Sequence, residues 1–333
     1  MKNFAKRHPV WSYLILTFCF TFFFWFFPVV IETPKDLSFA LNLLGGLGPL
    51  VSAYLVSSLQ SNAAIRRGSL KIFVSFFLLM AGVLFLRLYY KESFITVNKS
   101  VFPEWQYLSI VALIVFFLVF SIYSFNISQA NNYQIKENYI RSLFPEKGKL
   151  KWYLIALGVI PFIFMSSYGL GWLFGLPLTD FFLKISPQVI IGFFSVFLMT
   201  GGNEEFGWRG FMQKELQKKY NPLLTAFIIS FFWSLWHLPL HYNGFYSYGG
   251  IADLLPRFVW TFPLTIVFTW LYNRSSYSIL AVSIAHAMLN TFSGRLGSSP
   301  TLAWIIFGLV VIYCIIDDKM WTTKEYHKVY DKN

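Results

Sequence analysis

The sequence predicts an all-α protein, a polytopic transmembrane helix bundle with about ten spans and both termini in the cytoplasm. Of its 333 residues, 56% are hydrophobic and only 13% are charged, whereas soluble domains carry about 25% charged residues. The same composition excludes a disordered chain, which could not keep this much apolar surface in water. The formal net charge of +12 is explained by the Lys and Arg that collect in cytoplasmic loops. The sequence therefore indicates a partner in the lipid bilayer and no nucleic acid partner.

Ten apolar runs can cross a bilayer, which needs about 20 helical residues, or fewer where flanking basic side chains reach the interface. These runs are Val10–Ile31, Phe39–Leu59, Ile72–Leu86, Tyr107–Phe125, Trp152–Leu173, Pro187–Gly202, Leu223–Leu240, Phe258–Tyr272, Tyr277–Thr291 and Leu302–Ile316. We expect the first run to be retained, because no small-residue cleavage site follows it. With a cytoplasmic N-terminus, the inner segments hold 20 of the 27 basic residues, which favours this orientation.

The run GGNEEFGWRGF places two acids and an arginine directly after an uncharged span. An acid at the centre of a membrane helix costs about 2.5–3.5 kcal/mol, so these residues are candidates for a functional site. Glu205 and Arg209 are four residues apart and can pair on one helix face. Glu204 points about 100° away and lacks that partner. The alternative interpretation is that the helix has reached the cytoplasm and that water surrounds all three side chains.

Two histidines lie inside apolar runs of the same half of the chain. His237 occurs in FFWSLWHLPLH, and His286 occurs in SIAHAMLN, where it shares a helix face with Asn290. Such side chains commonly form hydrogen bonds between membrane helices, and this structural role is the simplest interpretation of each residue alone. Two intramembrane histidines together with an acidic pair favour a functional site instead.

The depths of these residues agree under one choice of helix boundary. At a rise of about 1.5 Å per residue, Glu204 reaches the depth of His237 and His286 only if its helix continues to about Lys214. A helix that ended directly after the acids would leave them near the cytoplasm. We expect the long helix, because apolar residues continue to Met212, and it would bury the acids.

The three segments together resemble the CPBP family of intramembrane proteases, named for CAAX proteases and bacteriocin-processing enzymes. EEFGWR is similar to the family motif E-E-x-x-x-R, and the segment from His286 to Asn290 is similar to H-x-x-x-N. The middle motif is usually F-x-x-x-H, and here Trp233 takes the place of the Phe before His237. Bacterial members with GWRG and WHLP runs look similar. The resemblance covers about residues 201–290, with all three motifs in order.

This resemblance implies a multi-pass intramembrane endopeptidase in the cytoplasmic membrane of a bacterium. Residues 1–151 would form N-terminal spans and a linker, 152–316 the catalytic transmembrane domain, and 317–333 a cytoplasmic tail. The substrates implied are membrane-associated or prenylated peptides and proteins, peptide pheromones or bacteriocin leaders. A regulatory membrane partner could control their access.

The family's functional roles map onto the matching positions of this chain. By resemblance, Glu204 is the general base for a water molecule that His237 shares, and His286 and Asn290 are the oxyanion donors. Three supporting residues complete the set: Arg209 would neutralise Glu205 and fix the helix, and Trp233 would pack beside the middle histidine. No cofactor is expected for this glutamate mechanism.

Three alternatives use the same residues differently. Two His and one Glu form a known catalytic zinc set, so Glu204, His237 and His286 would be the ligands in a metalloenzyme. No H-E-x-x-H segment is present, and we favour the mechanism without metal.

A non-proteolytic immunity or regulatory protein would be indicated by the loss of an ionisable motif residue, and none is lost. A transporter would line a substrate path with its charges, but the ionisable residues cluster in one half of the chain without a matching set.

Overall fold

The structure is a computed structural model that describes residues 2–33, 35–61, 150–175, 187–246, 248–292 and 300–323. Throughout these ranges the regular secondary structure is helical. The predicted spans Ile72–Leu86 and Tyr107–Phe125 lie outside the described residues. The all-α prediction is therefore confirmed for the part of the chain that the structure describes, and the number of spans stays a prediction.

Twelve α-helical segments are present in the described ranges, joined in places by 3-10 and π-helical turns. They are α1 (Lys2–Arg7), α2 (Pro9–Val30), α3 (Lys35–Gly45), α4 (Gly48–Ser61), α5 (Leu150–Leu173), α6 (Pro187–Ser195), α7 (Glu205–Gly207), α8 (Lys214–Leu216), α9 (Pro222–Trp236), α10 (Leu254–Arg274), α11 (Ile279–Phe292) and α12 (Pro300–Asp317).

Several helices have the length and composition of membrane spans. Among the described residues, Pro9–Val30, Leu150–Leu173 and Gly250–Arg274 are long and apolar enough to cross a bilayer, and four shorter apolar helices accompany them. Their outer faces are apolar as well, and side chains such as Phe23 and Leu309 are more than 60% exposed. Helices that are apolar on all sides suit a bundle in lipid. The chain is a multi-pass membrane protein, as the sequence predicts.

The predicted span Phe39–Leu59 is two helices rather than one. Helix α3 ends at Gly45, and α4 begins at Gly48. A Cβ atom on Gly45 would overlap the indole ring of Trp25, so the interruption lets this chain segment pass directly against α2. Glycine is required here because of that close approach.

Helix α9 ends earlier than the predicted span Leu223–Leu240. Its last residue is Trp236, and His237 is the C-cap. Pro239 follows two residues later, and the residue before a proline is disfavoured in the α conformation. His237 therefore lies at the end of a helix rather than within one.

The segment from residue 201 to 216 lies at the centre of the bundle. Its first turns contact α4 and α11, and its later turn contacts α9. Around it, α9 packs along α10, α11 packs against α5, and α2 packs against α3 and α4. Both the N-terminal helices and the helices after residue 186 therefore surround the acidic motif.

Candidate active site

The acidic motif lies on a helical path that is broken at Gly201. Helix α6 continues into a π-helical turn at Val196–Thr200, and after the break a 3-10 turn forms Gly202–Glu204. A second π-helical turn, Trp208–Gln213, separates α7 from α8. The predicted continuous helix to Lys214 is therefore wrong in its continuity, although the chain does remain helical to that point.

Close backbone packing explains the break. A Cβ atom on Gly202 would overlap the backbone of the preceding turn, and one on Gly201 would lie 3.1 Å from both His286 Cδ2 and Asn290 Nδ2. The Ser283 hydroxyl donates a 2.7 Å hydrogen bond to the Gly202 carbonyl oxygen, which also accepts the backbone N–H of Glu205. The two glycines thus bring the backbone directly against α11, beside its polar residues.

The motif's three ionisable side chains are buried, as the long-helix boundary predicts. Glu204 is 5% exposed, and Glu205 and Arg209 have no exposed surface. Burial of charge requires pairing and hydrogen bonding, so the partners of each carboxylate indicate its role.

Glu205 is shared between a cation and a histidine. Its Oε2 lies 2.9 Å from Arg209 Nη1, which is the pair that the four-residue spacing predicts. Its Oε1 lies 2.6 Å from His286 Nδ1. The Arg209 guanidinium also faces aromatic rings, 4.9 Å from the Trp233 centroid and 5.1 Å from that of Phe268. Glu205 is therefore held by contacts on both of its oxygens.

The contact with Glu205 fixes the orientation of His286. An ionised carboxylate only accepts hydrogen bonds, so Nδ1 of His286 carries the hydrogen and Nε2 is left for another partner. The ring packs against Trp233 and Phe268, with centroid distances of 5.4 and 5.6 Å. Asn290, one turn later, is exposed.

Within the described residues, Glu204 accepts one hydrogen bond from a side chain. The indole Nε1 of Trp233 donates to its Oε2 over 2.9 Å. This bond gives Trp233 a function that a Phe at the same position could not supply, since a phenyl ring has no N–H donor. The sequence indicated only packing for this residue.

His237 is oriented by the backbone of its own helix. Its Nδ1 lies 2.7 Å from the Trp233 carbonyl oxygen, which only accepts, so Nδ1 donates and Nε2 keeps a lone pair. Its ring packs edge-on against Trp236 at 4.7 Å and lies 5.8 Å from the ring of Tyr246. His237 itself is 3% exposed.

Trp233 joins the three candidate residues. It donates to Glu204, its carbonyl accepts from His237, and its ring packs against His286. The structure therefore brings the predicted acid and both histidines to one tryptophan, from three segments that are remote in sequence.

The N-terminal helix α2 contributes to this region, which sequence reasoning missed. Trp25 packs against Trp236 with ring centroids 4.4 Å apart and an interplanar angle of 48°, and it lies 6.2 Å from His237. The indole of Trp236 donates to the Thr21 hydroxyl at 2.7 Å. A polar residue in an apolar helix was the available signal for Thr21, but its partner is 215 residues away.

The zinc alternative can be compared with this arrangement. Three protein ligands within about 2.0–2.3 Å of one point are needed for a catalytic zinc. In the described part of the chain, His, Cys, Asp and Glu side chains do not form such a group of three. No step proposed below involves a metal, and metal dependence stays a prediction.

Comparison with known proteins identifies the segment that contains this site. Residues 186–292 match the family model described as "Type II CAAX prenyl endopeptidase Rce1-like". The chain is also 30% identical over 179 residues to "CAAX prenyl protease 2" of Methanococcus maripaludis. That match covers 49% of this chain and 64% of the relative, so the chain spans less than two thirds of the relative's length.

Proposed function

Because residues 186–292 match the Rce1-like CAAX prenyl endopeptidase family model and the chain is similar to a CAAX prenyl protease, we propose that it is an intramembrane endopeptidase of this family. It hydrolyses a peptide bond of a membrane-associated or lipidated peptide with a water molecule that Glu204 activates. The observation that carries the proposal is the convergence of Glu204, His237 and His286 on Trp233 inside a helix bundle.

The first step is attack of water on the scissile carbonyl carbon. Glu204 takes one proton from the water as the new C–O bond forms, in the manner of a general base. The other O–H of the water stays intact and donates a hydrogen bond to Nε2 of His237, which orients the water; Nε2 can accept because Nδ1 already donates to the Trp233 carbonyl. The carbonyl electron pair moves to oxygen and gives a tetrahedral oxyanion.

The second step is collapse of that intermediate. The oxyanion accepts hydrogen bonds from the Asn290 amide and from the His286 imidazole, whose Nδ1 contacts Glu205 at 2.6 Å. Preorganised donors of this kind stabilise the oxyanion strongly in a water-poor site. Glu204 returns its proton to the nitrogen of the leaving peptide, the C–N bond breaks, and an acid and an amine are released.

The substrate class follows from the membrane setting and the family. A peptide that carries a lipid reaches a bilayer-embedded site by lateral diffusion, so prenylated C-terminal peptides are the first substrates to test. Pheromone precursors and bacteriocin leaders are the second group. We place the enzyme in the cytoplasmic membrane of a bacterium, where a regulatory membrane partner could control substrate access.

The decisive experiment compares two Glu-to-Gln variants in lipid nanodiscs. Glu204→Gln keeps the side-chain shape but removes the base, so cleavage of a farnesylated peptide should be lost while thermal stability changes little. Glu215→Gln is the matched control, because Glu215 pairs at 2.6 Å with the partly exposed Lys218 and lies outside the site. Cleavage is followed by mass spectrometry of the products. Full activity of Glu204→Gln would reject the mechanism.

A further inference from the structure

A second cluster of polar side chains lies beside His237, in and after the turn that joins α9 to α10. It consists of His241, Tyr246, Asp253 and Arg257, and we call it the α10 cluster. The ring of Tyr246 lies 5.8 Å from that of His237 and 5.5 Å from that of His241. The proposed mechanism uses none of these four residues.

Arg257 is the unusual member of the α10 cluster. It lies in the first turn of α10, where the helix dipole disfavours a cation, in a chain with few charges. In the described part of the chain Arg257 forms no salt bridge, since Asp253 one turn earlier contacts His241 Nδ1 at 3.2 Å instead. Its Nε is buried without a hydrogen-bond partner. An arginine with these properties is suited to bind an anion.

The charge of Arg257 acts on its surroundings. Burial lowers the pKa of the His241 imidazole and the positive charge of Arg257 lowers it further, although Asp253 acts in the opposite direction. Arg257 is partly exposed, and Tyr246 is 47% exposed. A ligand can therefore approach the guanidinium from outside the bundle.

Tyr246 sets an upper limit on the distance from Arg257 to the proposed active site. The Arg257 guanidinium carbon lies 4.9 Å from the centroid of the Tyr246 ring, and the His237 ring lies 5.8 Å from the same centroid. The separation of guanidinium and imidazole cannot exceed the sum of these distances. Three extended residues span about 10 Å, at about 3.3 Å each, so a peptide of this length can reach from His237 to Arg257.

We propose that Arg257 binds the free C-terminal carboxylate of the peptide substrate and so selects substrates that are cleaved near their C-terminus. In a C-a-a-X sequence three residues follow the lipid-bearing cysteine, so cleavage after that cysteine puts the carboxylate within reach of Arg257. Guanidinium and carboxylate form bidentate, charge-assisted hydrogen bonds. The inference rests on the proposed function, because it assigns the substrate end that this same site receives.

The test uses binding as well as cleavage. Two farnesylated fluorescent peptides are compared, one with a free C-terminal carboxylate and one with a C-terminal amide, on protein in phosphatidylcholine nanodiscs that contain no anionic lipid. Binding is measured by fluorescence anisotropy in the Glu204→Gln background, and cleavage is measured with Glu204 intact. We expect the acid to bind about 10- to 100-fold more tightly than the amide, as for a hydrogen-bonded charge pair.

The tighter binding of the acid than of the amide should depend on Arg257 alone. Arg257→Gln should lower the affinity for the acid to that for the amide, with little effect on the amide itself. Arg274→Gln is the matched control, because Arg274 lies at the other end of α10 and pairs with Asp317 at 3.1 Å, and it should keep the full preference.

Three outcomes decide the inference, and the last of them separates it from the proposed function. Equal affinity for acid and amide with Arg257 intact, including no binding of either peptide, would overturn the carboxylate assignment. A preference for the acid that Arg257→Gln leaves unchanged would overturn it as well. An Arg257-dependent preference without any cleavage would uphold the carboxylate site and reject the endopeptidase function.

Discussion

Glu204 and Glu205 are neighbours in sequence, yet the structure gives them opposite surroundings. Both oxygens of Glu205 have partners, namely Arg209 in an ion pair at 2.9 Å and His286 at 2.6 Å, and no surface of Glu205 is exposed. Glu204 has one neutral donor, the indole of Trp233, and keeps a small exposed fraction of 5%.

The difference indicates how one dipeptide can serve two purposes. A carboxylate whose oxygens are occupied by a cation and a histidine is a structural anchor, since proton transfer to it would break those contacts. A carboxylate with one neutral hydrogen bond retains an oxygen for a water molecule. Glu205 therefore suits the positioning of His286, and Glu204 suits general-base chemistry.

The largest loss of stability is expected when the ion pair between Glu205 and Arg209 is removed. Arg209→Ala leaves a buried carboxylate without its cation, which typically costs about 3–5 kcal/mol, so the free energy of unfolding in detergent and the expression level should both fall. Lys218→Ala is the control, because it removes a surface ion pair that is worth at most about 1 kcal/mol. If Arg209→Ala lost activity with unchanged stability, Arg209 would be a substrate contact instead.

A smaller effect, on kcat, is expected when the hydrogen bond from Trp233 to Glu204 is removed. Trp233→Phe removes the indole N–H but keeps an aromatic ring, and a hydrogen bond to a charged group contributes about 1.5–3 kcal/mol. The kcat for a farnesylated peptide should fall about 10- to 100-fold, with KM nearly unchanged. Trp236→Phe, whose indole donates to Thr21 rather than to an acid, should lower kcat less. Full activity of Trp233→Phe would mean that this residue acts by packing alone.

No change in the cleavage rate is expected from metal removal, because the proposed mechanism uses Glu204 as a proton acceptor and not as a metal ligand. Dialysis against a strong chelator should leave the cleavage rate intact, and elemental analysis should find substoichiometric zinc. A chelated, inactive enzyme that zinc restores, and calcium or magnesium does not, would contradict this. Glu204, His237 and His286 would then be zinc ligands, with Nδ1 of each histidine held by its second partner.

Features set by local sequence were predictable. Long apolar runs predicted the helices, and the spacing of Glu205 and Arg209 predicted their ion pair. The adjacent glycines at 201 and 202 carried a signal for the helix break, but the continuing apolar face outweighed it.

Features set by tertiary packing were not predictable from one sequence. The contact of His286 with Glu205 joins residues 81 positions apart, and no periodicity encodes it. The same holds for the packing of α2 around His237, since spacing within a helix says nothing about which helix lies opposite. The hydrogen bond from Trp233 to Glu204 likewise depends on how α9 meets the acidic turn.

The interrupted helix at Gly201 also imposes an order on biogenesis. A broken backbone is tolerated at membrane depth only where other protein surrounds it, and the partner that the Gly202 carbonyl finds on another helix is Ser283, 81 residues later. At about 5–20 residues per second, a ribosome makes that partner roughly 4–16 s after the break. During this interval the nascent segment needs shelter from lipid in the insertion machinery, and the acidic motif reaches its final shape only after α11 has entered the bundle.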